Sequence, residues 1–441
     1  MTELSHSLQH ANSTEQMIKD SAVGTRPSRY CWQASRTGVQ PPVLIMNLFY
    51  TGIAIARDLA GRGLRVIGLT AHRDGPGNRT RLCEVVSSPN SQEHPEKLLE
   101  FLLDAADELR GGVIFPTRDF DVLFLDRYRE ALGTHYRLAI PPCETLHRVV
   151  DKYALACAAQ QAGLPVPKTM ILRGEEELDQ VSKEIGFPCV AKPVSSYQWR
   201  EGANWQAVGG RKAFLIDSIR TLKQEYAQVR LAHNEVLIQE WIPGGTENIV
   251  VMGGYVGADS EPLAYFTARK IVQSPDEYFG TGCIVRSEEI PELVEPTRRL
   301  WKALSYRGMA EVEYKLDRRS SQYKLIEINT RHWDQHELGR ASGVNLSWTA
   351  YTDLIGGDVR FKKMPTTPTN WIAEDALLYH ALSGLYERKI KLRKLWQQMK
   401  GPRIYGTFSW RDPLPFAAHF LTATIPTIAK QSWKKLKQGR T

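Results

Sequence analysis

Two acidic strands in close succession constrain this chain most. Residues 308–317 read Gly-Met-Ala-Glu-Val-Glu-Tyr-Lys-Leu-Asp, and residues 323–331 read Tyr-Lys-Leu-Ile-Glu-Ile-Asn-Thr-Arg. Side chains alternate between the faces of a strand, and the polar residues 318–322 make a short turn. On the first strand Val312, Tyr314 and Leu316 share one face, and Glu311, Glu313 and Lys315 the other. On the second, Lys324, Ile326 and Ile328 face one way, and Leu325, Glu327 and Asn329 the other. A turn centred near Ser320 sets Glu313 opposite Glu327, with Cβ atoms roughly 5 Å apart. Carboxylates that close repel unless something cationic lies between them. With Asn329 they offer the hard oxygen ligands that Mg²⁺ takes, phosphate oxygens completing its shell. The pair predicts a nucleoside triphosphate site. Taken alone, it also describes a solvated hairpin with a charged outer face.

At 441 residues the chain has room for two or three domains. Its 42% hydrophobic and 24% charged content is that of a globular protein, and no apolar run reaches the roughly 18 residues of a membrane helix. The polar N-terminus does not read as a secretory signal. Six cysteines without a pair at metal-ligand spacing predict a reduced, cytoplasmic protein. The net charge of +8 suits anionic small molecules, an acidic membrane surface or nucleic acid. No nucleic-acid module is present and the aromatics are not interleaved with a basic stripe, so nucleic acid is not an expected partner.

Residues 1–40 read as a polar extension. Residues 42–47 predict a buried parallel strand, 51–63 a helix ending in glycine, and 64–69 a second strand, a βαβ unit without the Gly-x-Gly-x-x-Gly dinucleotide fingerprint. A helix over 96–109 and a strand over 112–116 follow. Asp119 or Asp121 then either caps the next helix or, at the carboxyl end of a parallel strand, meets a ligand. This α/β domain spans 41–149. Asp151 is a predicted N-cap and Gly163 the stop of the next helix. Lys152 in its first turn sits badly with the helix dipole unless an anion offsets it; by itself it reads as a surface lysine. Lys192 lies in a short apolar strand, where lysines reach an anion or a carboxylate. Residues 195–211 lose periodicity and read as a mobile loop. Further strands are predicted over 235–244, 249–255 and 263–272, with a helix over 289–304.

In this order the segments Val150-Asp-Lys152, Ala191-Lys-Pro193, Gln239-Glu-Trp-Ile242 with Glu247, Arg269-Lys270, Glu311-Val-Glu-Tyr314 and Glu327-Ile-Asn-Thr-Arg331 resemble the ATP-grasp superfamily, in its carboxylate–amine ligase-like branch. The resemblance implies a mixed α/β and α+β fold: a Rossmann-like domain preceding a two-lobed ATP-grasp domain over 150–355, then a helical C-terminal extension over 356–441. It implies that Lys152 and Lys192 contact nucleotide phosphates, that Gln239, Glu240 and Ile242 meet the adenine edge, and that Glu247 binds the ribose. It assigns Mg²⁺, or Mn²⁺, to Glu313, Glu327 and Asn329, and the transferring phosphate and acyl group to Lys270 and Arg331. Arg286 is a looser candidate for the substrate pocket. The implied activity joins a small carboxylate to an amine, an amino acid or peptide, through an acyl phosphate made from ATP. An ATP-dependent carboxylase is the alternative, disfavoured because Gln335 stands where biotin-carboxylating relatives carry glutamate; a nucleotide-binding protein without turnover is the other. The resemblance leaves room for a homodimer.

His332 and His336 are spaced like a metal pair but lack a third ligand. Residues 373–386 and 391–399 predict helices. The apolar, proline-broken stretch 413–426 is followed by Lys430, Lys434, Lys435, Lys437 and Arg440. That end reads either as a packed tail with a solvated basic terminus or as a peripheral membrane contact.

Overall fold

A computed structural model describes residues 40–72, 75–200, 203–275, 278–363, 367–386 and 392–429. The N-terminal extension before residue 40 and the basic residues from Lys430 onward lie outside them. Three sheets organise the described residues. The first is parallel, in the order Glu84–Ser87, Val66–Thr70, Val43–Met46, Val113–Phe115, Arg137–Leu138. Its central strands are buried throughout, because helices cover both faces. Strand order reverses between Val43–Met46 and Val113–Phe115, and the chain leaves their carboxyl ends at Asn47 and Thr117, a place where open α/β sheets bind ligands.

The second sheet is antiparallel: Thr169–Leu172, Val236–Glu240, Cys189–Lys192 and Phe214–Ile216. Within the predicted mobile loop, residues 198–200 and 204–207 are helical. A 3₁₀ turn Gln198–Arg200 and a short helix Asn204–Ala207 cover the sheet, and Trp199 is fully buried edge-on to Phe214.

The third and largest sheet carries the acidic hairpin at its edge, Gln322–Asn329 beside Gly308–Asp317, followed by Ile249–Val256, Pro262–Ser274, Thr281–Ser287, Asn370–Ile372 and Arg403–Tyr405. The C-terminal extension is therefore more than helical: two of its segments continue this sheet, with the helix Glu374–Tyr386 between them. Trp301, Tyr306 and Tyr314 fill the core between the helix Val294–Ala303 and the sheet.

The helix Tyr50–Leu59 ties the first sheet to the third. Arg57 pairs with Glu337 at 3.1 Å and donates to the Thr407 carbonyl at 2.6 Å. Asp58 accepts from Ser347 at 2.7 Å and Arg340 at 2.9 Å, with His336 Nε2 3.6 Å away. Burial pushes the Asp58 carboxyl up to about 6 from 3.8, and pushes His336 down to about 4 from 6.5. Folded Asp58 holds more proton than the unfolded chain across pH 3.8–6, so its contribution to stability falls as pH rises. Folded His336 holds less across pH 4–6.5, so its contribution falls as pH drops. The two slopes oppose. Asp58→Asn removes the first, and urea midpoints of that variant should decline from about pH 6.5 to 4, at up to roughly 1.4 kcal/mol per pH unit. A difference from the wild type that ignores pH would contradict this pairing.

Candidate functional site

A cavity of about 600 Å³ opens between the second and third sheets, at the rim of the first. The hairpin supplies its floor. Glu313 does face Glu327, and Glu311 faces Asn329. The alternation on the second strand differs from the expectation, because the ladder slips between Glu313 and Tyr314 and pairs Tyr314 with Leu325. Ile326 is the extra residue. This bulge turns Leu325 into the core with Ile328 and leaves Ile326 beside Glu327 on the cavity wall. Period-two reading fails at a bulge because one residue goes unpaired.

Four lysines converge on the two facing acids. Lys152, at the start of the helix Lys152–Gln161, is buried, not on the surface as its position alone suggested. Asp151 caps the helix by accepting the Tyr153 and Ala154 amides, and the Lys152 amide donates to the Val194 carbonyl at 3.0 Å. Its ammonium reaches Ser196 Oγ at 2.7 Å. Lys192 points inward from its strand and donates to Gln239 Oε1 at 2.8 Å, while Gln239 Nε2 donates to Thr169. Lys270 pairs with Glu313. Lys212 reaches Thr281 at 2.9 Å.

Burial and mutual charge set the protonation of this group. Burial, reinforced by Lys152, brings Lys192 down to about 8 despite Glu327 and Glu313. Burial lowers Lys152 as well. Burial opposes charge on Lys270, yet Glu313 and Glu311 outweigh it and hold that ammonium charged. The same holds in reverse for Glu327: burial disfavours its carboxylate, but Lys152, Lys192 and Lys270 prevail and keep its pKa low. Glu311 lies deeper. Burial first, then the Glu313 charge, pushes it up to about 8, and Asn329 Nδ2 donates to it at 2.9 Å.

Arg331 closes the far side, donating to Asp119 Oδ1 at 2.7 Å and to the His332 carbonyl at 3.0 Å. The two candidate aspartates divide their roles: Asp121 is buried and accepts the Thr117 and Arg118 amides, while Asp119 reaches across to the site. Asp334 lines the same end, accepting from Thr51 at 2.9 Å, and Gln335 donates to the Gly282 carbonyl at 3.1 Å.

Of the other expected residues, three lie in the cavity and two do not. Gln239, Glu240 and Ile242 line the cavity. The Glu240 carboxylate is already held by Arg319 at 2.6 Å, Lys324 at 3.0 Å and the Lys168 amide at 3.2 Å, so a bound base would meet this segment chiefly through its backbone and Trp241. Glu247 is absent from the lining; it acts on the charge of Lys315, which lies over the Trp241 ring at 4.3 Å. Arg286 is turned away, donating to Asn370 at 2.8 Å and to the Gln398 carbonyl. His332 and His336 are buried at the junction, His332 against Ser347 at 3.1 Å. The residues that sequence reasoning left out are Glu311, Asp119 as the partner of Arg331, Lys212 and Lys315. Glu311 and Lys315 carried a signal, since they alternate with Glu313 on one face; Lys212 carried none.

The conserved-domain description "Carbamoyl-phosphate synthase L chain, ATP binding domain" matches residues 282–352, which include the whole hairpin and Arg331. The chain is 23% identical over 314 residues to the D-aspartate ligase of Enterococcus faecium (strain Aus0004), covering 68% of this chain and 73% of that one. It is 25% identical over 184 residues to the D-alanine–D-alanine ligase of Ectopseudomonas mendocina (strain ymp), 41% of this chain and 55% of the relative. Its fold matches the Campylobacter jejuni biotin carboxylase–β-γ-ATP complex with a TM-score of 0.59 at 17% identity, covering 74% of each chain. Over the matched segment and in its fold, the chain is similar to members of the ATP-grasp superfamily. Both of these curated relatives are ligases, and the biotin carboxylase is a neighbour in fold.

The donor set fits a hard divalent cation: Glu327 held ionised, Glu313 facing it, and Asn329 in the same lining. Two ionised carboxylates with phosphate oxygens suffice for Mg²⁺. The surrounding lysines fit a polyphosphate. Mg²⁺ with inorganic tripolyphosphate should therefore raise the thermal midpoint, worth about 2.7 kcal/mol at a hundredfold excess over Kd. Lys192→Met should lose most of that gain. A wild-type protein indifferent to the pair of ligands would contradict this reading.

Proposed function

We propose that this chain is an ATP-dependent carboxylate–amine ligase that makes an amide or peptide bond through an acyl phosphate, releasing ADP and phosphate. The observation that carries the reading is the convergence, in one cavity, of the facing Glu313 and Glu327 with Lys152, Lys192 and Lys270 on one side and Arg331 on the other. The resemblance to D-aspartate and D-alanine–D-alanine ligases supports a small amino acid or short peptide as substrate.

In this reading Lys152 and Lys192 hold the nucleotide phosphates, and the backbone and rings of 239–242 hold the base. Glu313, Glu327 and Asn329 would hold Mg²⁺, which would neutralise phosphate charge. A carboxylate oxygen of the acid attacks the γ-phosphorus; the bond from that phosphorus to the β–γ bridging oxygen breaks, leaving acyl phosphate and ADP. Charge that spreads over the transferring group faces Lys270. The amine then attacks the acyl carbon, the carbonyl oxygen becomes an oxyanion facing Arg331, phosphate departs, and the amine proton leaves with it or to solvent. Asp119 keeps the Arg331 guanidinium oriented toward that oxygen. No protein nucleophile is needed.

ADP release measured with Mg²⁺ against pools of amino acids should depend on acid and amine together. Hydroxylamine should trap the acyl phosphate as a hydroxamate. Glu327→Gln should lower kcat by at least about 10²-fold while leaving the melting temperature close to that of the wild type. Turnover that follows bicarbonate and needs no amine would replace this reading with a carboxylase, and full activity in Glu327→Gln would remove the role given to the hairpin.

A further inference from the structure

We propose that the helical run over residues 414–429, with the basic sequence that follows it, docks on an anionic lipid bilayer. Residues 387–441 hold thirteen basic and two acidic residues, against 57 and 49 in the chain, so the rest of the protein carries an acidic excess. The positive charge is concentrated at one end.

The structure puts apolar surface at the same end. Nine of the fourteen large hydrophobic residues that stand exposed among the described residues lie between 382 and 425. The helix Leu414–His419 continues through a π-turn Phe420–Thr424 and helical residues 425–429. Leu414, Leu421 and Ile425 recur at intervals of seven and four, the spacing of one helical face. They are 39%, 65% and 46% exposed. A surface helix ordinarily turns such a stripe inward; here Pro415 and Thr424 are its buried residues. Trp410 is 89% exposed, edge-on to Phe408, which leads through Phe416 to Phe420. Trp396 is also exposed, with the Lys400 ammonium 4.4 Å from its ring centre.

The stretch that leads into this helix is fixed in place. Arg403–Tyr405 is hydrogen-bonded into the large sheet, and buried Asp412 accepts from Thr80 Oγ1 at 2.5 Å and the Arg81 amide at 3.3 Å. No helix among the described residues is long and apolar enough to cross a membrane, so the contact is with a bilayer surface. An apolar stripe that enters the headgroup region, followed by a lysine-rich tail that meets anionic lipid, is the chemistry such a surface selects. An acidic protein would satisfy the charge but leave the outward leucine and isoleucine without a purpose.

The full-length protein is sedimented with phosphatidylcholine vesicles, with and without phosphatidylglycerol, at low and high salt. It should pellet with the anionic vesicles, be released by salt, and stay in solution with the neutral ones. Leu421→Glu with Ile425→Glu should weaken partitioning by at least about tenfold. Replacing Lys434, Lys435 and Lys437 together by Gln should weaken it by about a hundredfold, near fivefold for each charge. Both variants should melt with the wild type. Equal recovery with neutral and anionic vesicles, or binding indifferent to both variants, would overturn the proposal. So would a concentration-dependent dimer in sedimentation velocity that Leu421→Glu with Ile425→Glu dissolves while vesicle binding is absent.

Discussion

The facing of two carboxylates across adjoining strands is the constraint on which the rest of this site depends. Glu313 and Glu327 lie in one register of one hairpin, largely out of water. Such a pair is costly unless positive charge surrounds it. The protein supplies that charge from three separate elements: a helix start at Lys152, a strand of the second sheet at Lys192, and a neighbouring strand of the third at Lys270. Burial, reinforced by the neighbouring charge of Lys152, brings Lys192 down to about 8 despite the two acids. A cluster balanced in this way accepts a further anion and a further cation together, and Mg²⁺ with a polyphosphate is such a combination.

The architecture explains how so many charges reach one place. The second sheet lies over the third, and each presents lysines to the gap. The first sheet contributes at its switch point, where Asp119 leaves the carboxyl end of a parallel strand and reaches Arg331 at the end of the hairpin. The Asp58–Arg340–Ser347 cluster holds that domain against the large sheet. The distance from the first sheet to the lysines of the cavity is thereby set by buried hydrogen bonds.

Much of this was legible in the residues. The alternation of Glu311, Glu313 and Lys315 places them on one face, and a short turn between two strands puts Glu313 opposite Glu327. The Asp151 cap, the Gly163 stop and the βαβ opening follow from local chemistry. What stayed hidden depends on contacts between distant segments. The bulge at Ile326 reverses the expected facing of Leu325 and Ile326, and only the partner strand decides it. Lys152 looked like a surface lysine because nothing near it in the sequence reports Ser196 and Val194. Glu240 is tied up by Arg319 from the hairpin turn and Lys324 from its second strand, about eighty positions on. The strands at Asn370–Ile372 and Arg403–Tyr405 are too short for a periodic signal and exist because a sheet edge is there to receive them.

The most direct test of the cation-bridged pair is anomalous diffraction from crystals grown with ADP and Mn²⁺. The account predicts a manganese peak between the Glu313 and Glu327 carboxylates, bound to both, with Lys270 drawn off Glu313 and the ADP phosphates against Lys152 and Lys192. A manganese peak elsewhere, or a nucleotide bound away from those two lysines, would contradict it.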